Sequence, residues 1–160
     1  MTIAELDLKD EADLAPRLLE CCGSSNWVKQ MLALRPFVTQ DRLDEAAVHT
    51  WQKLSPDDWL EAFSKHPKIG EKGKVSQWSA QEQSGMNAAA AQVADRLADL
   101  NRVYYEKFGF IFIVCATGKT AEEMLALLDA RLPNSREVEL PIAAAEQNKI
   151  TLLRLRKLLA

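Results

Sequence analysis

Only one stretch of the 160-residue sequence has the composition of a β-strand, the β-branched and aromatic run Phe110-Ile111-Phe112-Ile113-Val114. A sheet needs at least two strands, because a lone strand leaves its N–H and C=O groups unpaired. The rest of the chain is rich in helix start and stop signals. It is therefore expected to fold as an all-α, single-domain bundle of about eight helices spanning residues 1–160, with one short extended segment near 110–116. That run is either a buried extended segment or an irregular helix start. A hydrophobic content of 48% lets a chain of this length bury about two-thirds of its unfolded surface.

The helices announce themselves through their caps. Thr2-x-x-Glu5 and Asp10-x-x-Asp13 supply side-chain acceptors for free N–H groups, and Leu14, Leu18 and Leu19 follow at helical spacing. Gly23-Ser24-Ser25 ends that helix, and a helix from Asn26 to Leu34 carries Trp27, Met31 and Leu34 before Arg35-Pro36-Phe37 breaks it. Leu43 to Leu54 forms the next helix. Ser55-Pro56-Asp57-Asp58 starts another, with Trp59, Leu60 and Phe63 directed inward and an end just before or at His66. Gly70, Gly73 and the charges of Glu71, Lys72 and Lys74 read as a mobile surface loop. Ser79 opens a long central helix through Val93, Leu97, Leu100 and Tyr104 to a stop at Gly109. Thr120-x-x-Glu123 caps a helix bearing Met124, Leu127, Leu128 and Leu132 and closed by Pro133-Asn134. The last helix starts near Ser135, is kinked or broken at Pro141, and groups Ile150, Leu153 and Leu158 on or near one face.

Charge and cysteine usage narrow the partners. Twenty Lys+Arg against 23 Asp+Glu give a net charge of -3, which is no footprint for nucleic acid or an anionic membrane. A small-molecule or protein partner fits better. Cys21 and Cys22 are adjacent and Cys115 lies in an apolar run, so neither a disulfide framework nor a zinc set is spelled out. The first thirty residues hold no apolar run of signal-peptide length, nowhere are there about 18 consecutive apolar residues, and Leu158-Leu159-Ala160 matches no peroxisomal address. The expected setting is cytoplasmic and reducing.

Candidate chemistry starts from the two histidines. His66 sits in His66-Pro67-Lys68-Ile69-Gly70, in a stiff bend after a helix, where an imidazole suits proton transfer near neutral pH. The same placement also suits a histidine that complements a helix C-terminus. His49, within a helix, reads as a surface or packing residue. Ser79-x-x-Glu82 is a capping box in its own right, and it is also a helix N-terminus that could hold an anionic ligand, with Ser79 and Gln83 as neutral donors. Arg154, in Leu152-Leu153-Arg154-Leu155-Arg156, either reaches solvent or turns its planar fork inward onto a carboxylate or a ureide.

Taken together, Cys22-Gly23, Trp27, Arg35-Pro36-Phe37, His66-Pro67-x-Ile69-Gly70, Ser79-x-x-Glu82-Gln83, Asn101, Tyr104, Lys107-Phe108-Gly109-Phe110 and Lys149-Ile150 to Arg154-Leu155 resemble the OHCU decarboxylase family. OHCU is 2-oxo-4-hydroxy-4-carboxy-5-ureidoimidazoline, an intermediate between urate and allantoin. The resemblance covers nearly the whole chain. It implies an all-α fold, commonly dimeric, and decarboxylation to (S)-allantoin without a cofactor, with functional coupling to urate oxidase and 5-hydroxyisourate hydrolase.

Residue by residue, the resemblance makes His66 the catalytic acid/base, with Pro67 as the wall beside it. Ser79, Ala80, Gln81, Glu82 and Gln83 would bind the substrate, Glu82 holding its polar edge and counted with His66 as catalytic. Phe112, Ile113, Val114, Cys115 and Ala116 would line the pocket and offer backbone groups to the ring. Arg154 matches the substrate-binding arginine, with Arg156 as the alternative. Two competing readings remain: a hydrolase acting on a related ureide or purine ring through the same His/Glu pair, and a non-catalytic interaction module built on Trp27, Trp59 and Trp78.

Overall fold

The computed structural model describes residues 1–67 and 88–160. The loop expected around Gly70 and Gly73, Trp78, and the start of the long helix at Ser79 lie outside the described residues. Among the described residues there are eight helices and no strand. They are α1 (Ile3–Leu8), α2 (Glu11–Cys21), α3 (Ser25–Leu34), α4 (Gln40–Lys53), α5 (Pro56–Ser64), α6 (Ala88–Phe108), α7 (Ala121–Arg131) and α8 (Arg136–Leu158). None of these is long and apolar enough to cross a membrane.

Most of the expected start signals act as caps. Thr2, Ser55 and Thr120 each accept a backbone N–H from three residues on, a bond whose loss costs about 1 kcal/mol, and Ser24 and Thr39, not read as starts from the sequence, do the same. Thr2 with Glu5 and Ser55 with Asp58 form complete capping boxes. Asp10 departs from expectation. It occupies the N-cap of α2 without a side-chain capping bond, and the turn is held by backbone bonds from Asp13 N and Leu14 N to its carbonyl. Pro141 does not break α8, which runs continuously through it. A proline in the second turn removes a single N–H, and the carbonyl left without it belongs to exposed Glu137, within reach of water.

The chain packs as two compact units, Met1–Lys65 with Ala144–Ala160, and His66–Ala143. In the first, α3 is central and packs against α2, α4 and α5. Leu6, Leu14, Leu18, Trp27, Met31, Leu43 and Phe63 fill its core. Three indoles are accommodated because each N–H meets a backbone carbonyl: Trp27 on Ala47 (3.2 Å), Trp51 on Ala144 (2.8 Å) and Trp59 on Trp51 (2.9 Å). Several expected core positions are corrected. Leu19 and Leu34 are exposed, and Trp59 and Leu60 are half-buried. Along α8 the buried line is Ala144, Gln147, Thr151 and Leu155, while Ile150, Leu153 and Leu158 are half-buried. Polar Gln147 and Thr151 tolerate burial because the Gln147 amide donates to the Thr151 hydroxyl at 3.1 Å.

Between α3 and α4 the chain turns without helix. Arg35 donates to the carbonyls of Leu32, Leu6 and Lys9, and the Asp7 carboxylate accepts the N–H groups of Phe37 and Val38 at 2.8 and 2.9 Å. Val38 is held at φ 74°, the left-handed region that a β-branched residue avoids.

In the second unit α6 packs on α7. Leu97, Tyr104 and Phe108 face inward, and Gly109, at φ 79°, ends α6 as a left-handed cap, its N–H bonding to Tyr105 O at 2.8 Å. Tyr104, Phe108, Phe110 and Phe112 then form one aromatic cluster, Phe112 meeting Tyr104 edge-on with centroids 5.4 Å apart. The strand-like run is neither helix nor paired strand over residues 111–116, in keeping with the buried-segment reading rather than the irregular helix start.

Candidate functional site

How can a buried segment exist with neither helix nor sheet? Phe112, Ile113, Val114 and Cys115 are all buried, so their carbonyls need donors. Cationic side chains supply them for Ile113 and Cys115, and a turn supplies one for Ala116 just beyond. Arg131, at the end of α7, donates to Ile113 O at 2.7 Å; Lys119 Nζ donates to Cys115 O at 2.7 Å; and Lys119 N closes a turn on Ala116 O at 3.0 Å. Gly118, at φ 77°, makes that turn possible. Ala116, the last expected lining residue, is exposed.

The Arg131 guanidinium is itself buried, which demands a counter-charge. Glu139, fully buried in the first turn of α8, supplies it: Arg131 Nε lies 2.6 Å from Glu139 Oε2. Tyr104 donates to the same oxygen, and Asn134 donates to Oε1 at 3.1 Å, so the carboxylate is saturated. The Phe112 ring lies against the guanidinium, 4.6 Å from its centroid. Burial first, then the bond to Glu139, pushes the Tyr104 phenol well above its ordinary range.

His66 follows two residues after α5 and is half-buried, with Pro67 exposed beside it. Helix α5 is held from within its own unit. Glu61 accepts from the Ser25 N–H and hydroxyl at 3.0 and 2.6 Å, and Asp58 accepts from Asn26 at 2.8 Å, placing two carboxylates at the positive N-terminus of α3. Gly23 permits this approach, since a Cβ there would collide with the Lys65 side chain.

Arg154 is half-buried on α8 and donates to Glu20 O, near the C-terminus of α2, at 3.0 Å. The rest of its fork makes no further hydrogen bond among the described residues. Arg156 is exposed and lies near Asp44 instead, so the two arginines differ in burial as well as direction. Beside Arg154, burial pushes the Cys21 thiol up to about 11 and the Cys22 thiol up to about 12, so both are neutral at physiological pH and unsuited to nucleophilic work. His49 is exposed on α4, consistent with a surface residue. Ser79, Ala80, Gln81, Glu82 and Gln83 lie outside the described residues.

Sequence reasoning missed Arg131, Lys119 and Glu139. Arg131 ends a helix and Glu139 begins one, each where the helix dipole alone would favour its charge, so nothing local marks them as partners. The one available signal was the expected buried segment itself, whose carbonyls had to find donors somewhere.

Comparison with known proteins covers almost all of this geometry. Residues 8–156 match the family model of OHCU decarboxylase, across both compact units. The chain is 45% identical over 145 residues to the uric acid degradation bifunctional protein TTL of Arabidopsis thaliana, covering 86% of this chain and 45% of the relative. It thus spans less than half of that relative's length. A 2-oxo-4-hydroxy-4-carboxy-5-ureidoimidazoline decarboxylase of Halalkalicoccus jeotgali is 29% identical over 161 residues, covering 99% of this chain and 92% of the relative. A crystal structure of an OHCU decarboxylase in the presence of (S)-allantoin superposes with a TM-score of 0.76 at 39% identity, covering 94% of this chain and 99% of the other. With the all-α fold, the family model and the solved structure in agreement over nearly the full length, the chain belongs to the OHCU decarboxylase family.

Proposed function

We propose that this protein is a carboxy-lyase that decarboxylates OHCU to (S)-allantoin in urate degradation, as one domain over residues 1–160 and without a cofactor. The observation that carries this reading is the near end-to-end likeness, at 39% identity, to an OHCU decarboxylase crystallised in the presence of (S)-allantoin.

The chemistry explains why no cofactor is needed. Breaking the bond to the carboxylate releases carbon dioxide and leaves an electron pair, which flows onto the adjacent ring imine nitrogen, where a proton is taken up to make the ring N–H. The hydroxyl then gives up its proton as its carbon becomes the ring carbonyl, and a proton is delivered to the neighbouring carbon that carries the ureido group. The substrate is its own electron sink, so the protein's work is orientation and one-face proton delivery. His66 acts as acid/base at the hydroxyl or the reacting carbon, with Pro67 as the wall beside it. Glu82, with Ser79, Ala80, Gln81 and Gln83, holds the ureido and ring edge. The fork of Arg154 takes the substrate's polar groups, and the backbone of Phe112, Ile113, Val114, Cys115 and Ala116 faces the ring.

Half-burial and a largely uncommitted fork support Arg154 over exposed Arg156 for that role. The bifunctional relatives, named for uric acid degradation, support coupling to urate oxidase and 5-hydroxyisourate hydrolase. A cytoplasmic homodimer completes the proposal. The test is carbon dioxide release from freshly generated OHCU: the protein should accelerate it well beyond spontaneous decay. Consumption of substrate with no extra carbon dioxide would replace this reading with a hydrolase.

A further inference from the structure

The buried cluster of Arg131, Glu139 and Tyr104 does more than neutralise itself, because its outward donor is spent on a single peptide of the 111–116 segment. Arg131 Nη1 holds Ile113 O at 2.7 Å, and no strand ladder shares the task among the described residues. A peptide unit is planar and trans, so its C=O and N–H point in opposite directions. Fixing Ile113 O therefore aims the N–H of Val114 away from Arg131. That N–H belongs to a buried residue and meets no acceptor among the described residues. A cation on the carbonyl also polarises the peptide and strengthens the N–H as a donor.

We infer that Arg131, Glu139 and Tyr104 are positioning residues for the decarboxylation, acting through the Ile113–Val114 peptide, which they hold in register as a hydrogen-bond donor to an oxygen of the substrate ring. This inference rests on the proposed function. The guanidinium sets the peptide plane, Glu139 fixes the guanidinium through Nε, and Tyr104 fixes the shared Glu139 oxygen. Phe112, stacked on Arg131, restrains the residue before the peptide. None of the three clamp residues needs to touch substrate.

The test compares Arg131→Lys and Tyr104→Phe with wild type on freshly generated OHCU, each assayed well below its own melting temperature and corrected for folded fraction by circular dichroism. Lysine keeps the charge opposite Glu139 but loses the fork that bonds Glu139 and Ile113 O together. Phenylalanine removes one hydroxyl and keeps the ring. Since substrate is still gripped elsewhere, misalignment should lower kcat more than it raises KM: at least 30-fold for Arg131→Lys and about 3- to 10-fold for Tyr104→Phe, with KM within about 3-fold. Amide hydrogen exchange at Ile113 and Val114 should rise in both variants. A purely structural role predicts lower melting temperatures with wild-type kcat in the folded fraction, and that result for folded Tyr104→Phe overturns the inference even if Arg131→Lys fails to fold. Wild type without decarboxylase activity would sink the functional reading itself, a distinct outcome.

Discussion

Two non-helical segments of this protein are each pinned by an arginine, and they solve the same problem in different solvents. At residues 35–38, half-buried Arg35 gathers three carbonyls, and the Asp7 carboxylate takes the N–H groups of Phe37 and Val38. At residues 111–116, Arg131 is 8% exposed and Glu139 is 0% exposed, with the pair in direct contact. Near the surface, water shares the cost of the charge, so the arginine can spend Nε and Nη1 on the backbone alone. In the interior one donor must go to a counter-ion, and that counter-ion must be saturated in turn by Tyr104 and Asn134. Depth decides how many residues one backbone clamp recruits.

The comparison is broken most severely at the buried end. Arg131→Met leaves Glu139 buried without its cation and should destabilise the fold by about 3–5 kcal/mol in denaturant unfolding. A loss near 1 kcal/mol would mean that the two clamps differ little. Arg35→Ala should cost less, about 1–3 kcal/mol, because water replaces part of what the guanidinium donated.

Alkaline pH sharpens the contrast. The Tyr104 phenol is pushed up in the folded state, so between the ordinary tyrosine range and its raised value the unfolded chain holds fewer protons than the folded one. The contribution is intact below about pH 10 and is lost above it, at up to about 1.4 kcal/mol per pH unit. Tyr104→Phe should flatten that part of the pH–stability curve. Cys21 and Cys22 have the same sign from about pH 9, so a Cys21→Ala, Cys22→Ala double variant should remove a separate, earlier limb. The smallest effect is expected at Val38→Gly. Relief of the left-handed backbone outweighs the added freedom of the unfolded glycine by up to about 1 kcal/mol, read as a raised melting temperature.

These contrasts also mark what the sequence could reveal. Caps at Thr2, Ser55 and Thr120 were legible because a helix start is a local bargain between one side chain and a nearby N–H. The all-α class followed from a single strand-like run having no partner. The buried line of α8 was not legible, because Gln147 and Thr151 are polar by composition and become buriable only through their mutual hydrogen bond. Arg131 and Glu139 stand eight residues apart across a helix break, so no periodicity links them. Of the site itself, the position of His66 after α5 could be read from a cap and a proline. The environment of Arg154 could not, since its partner carbonyl at Glu20 lies far back in the chain.

The central claim, stereospecific decarboxylation driven from His66, is tested most directly by circular dichroism on OHCU freshly made from urate, with wild type and His66→Ala side by side. The account predicts rapid appearance of (S)-allantoin with wild type, and a rate lower by about 10²–10⁴-fold for a variant that keeps its helical spectrum and melting temperature. Racemic allantoin at the spontaneous rate with wild type, or an unimpaired His66→Ala, would contradict it.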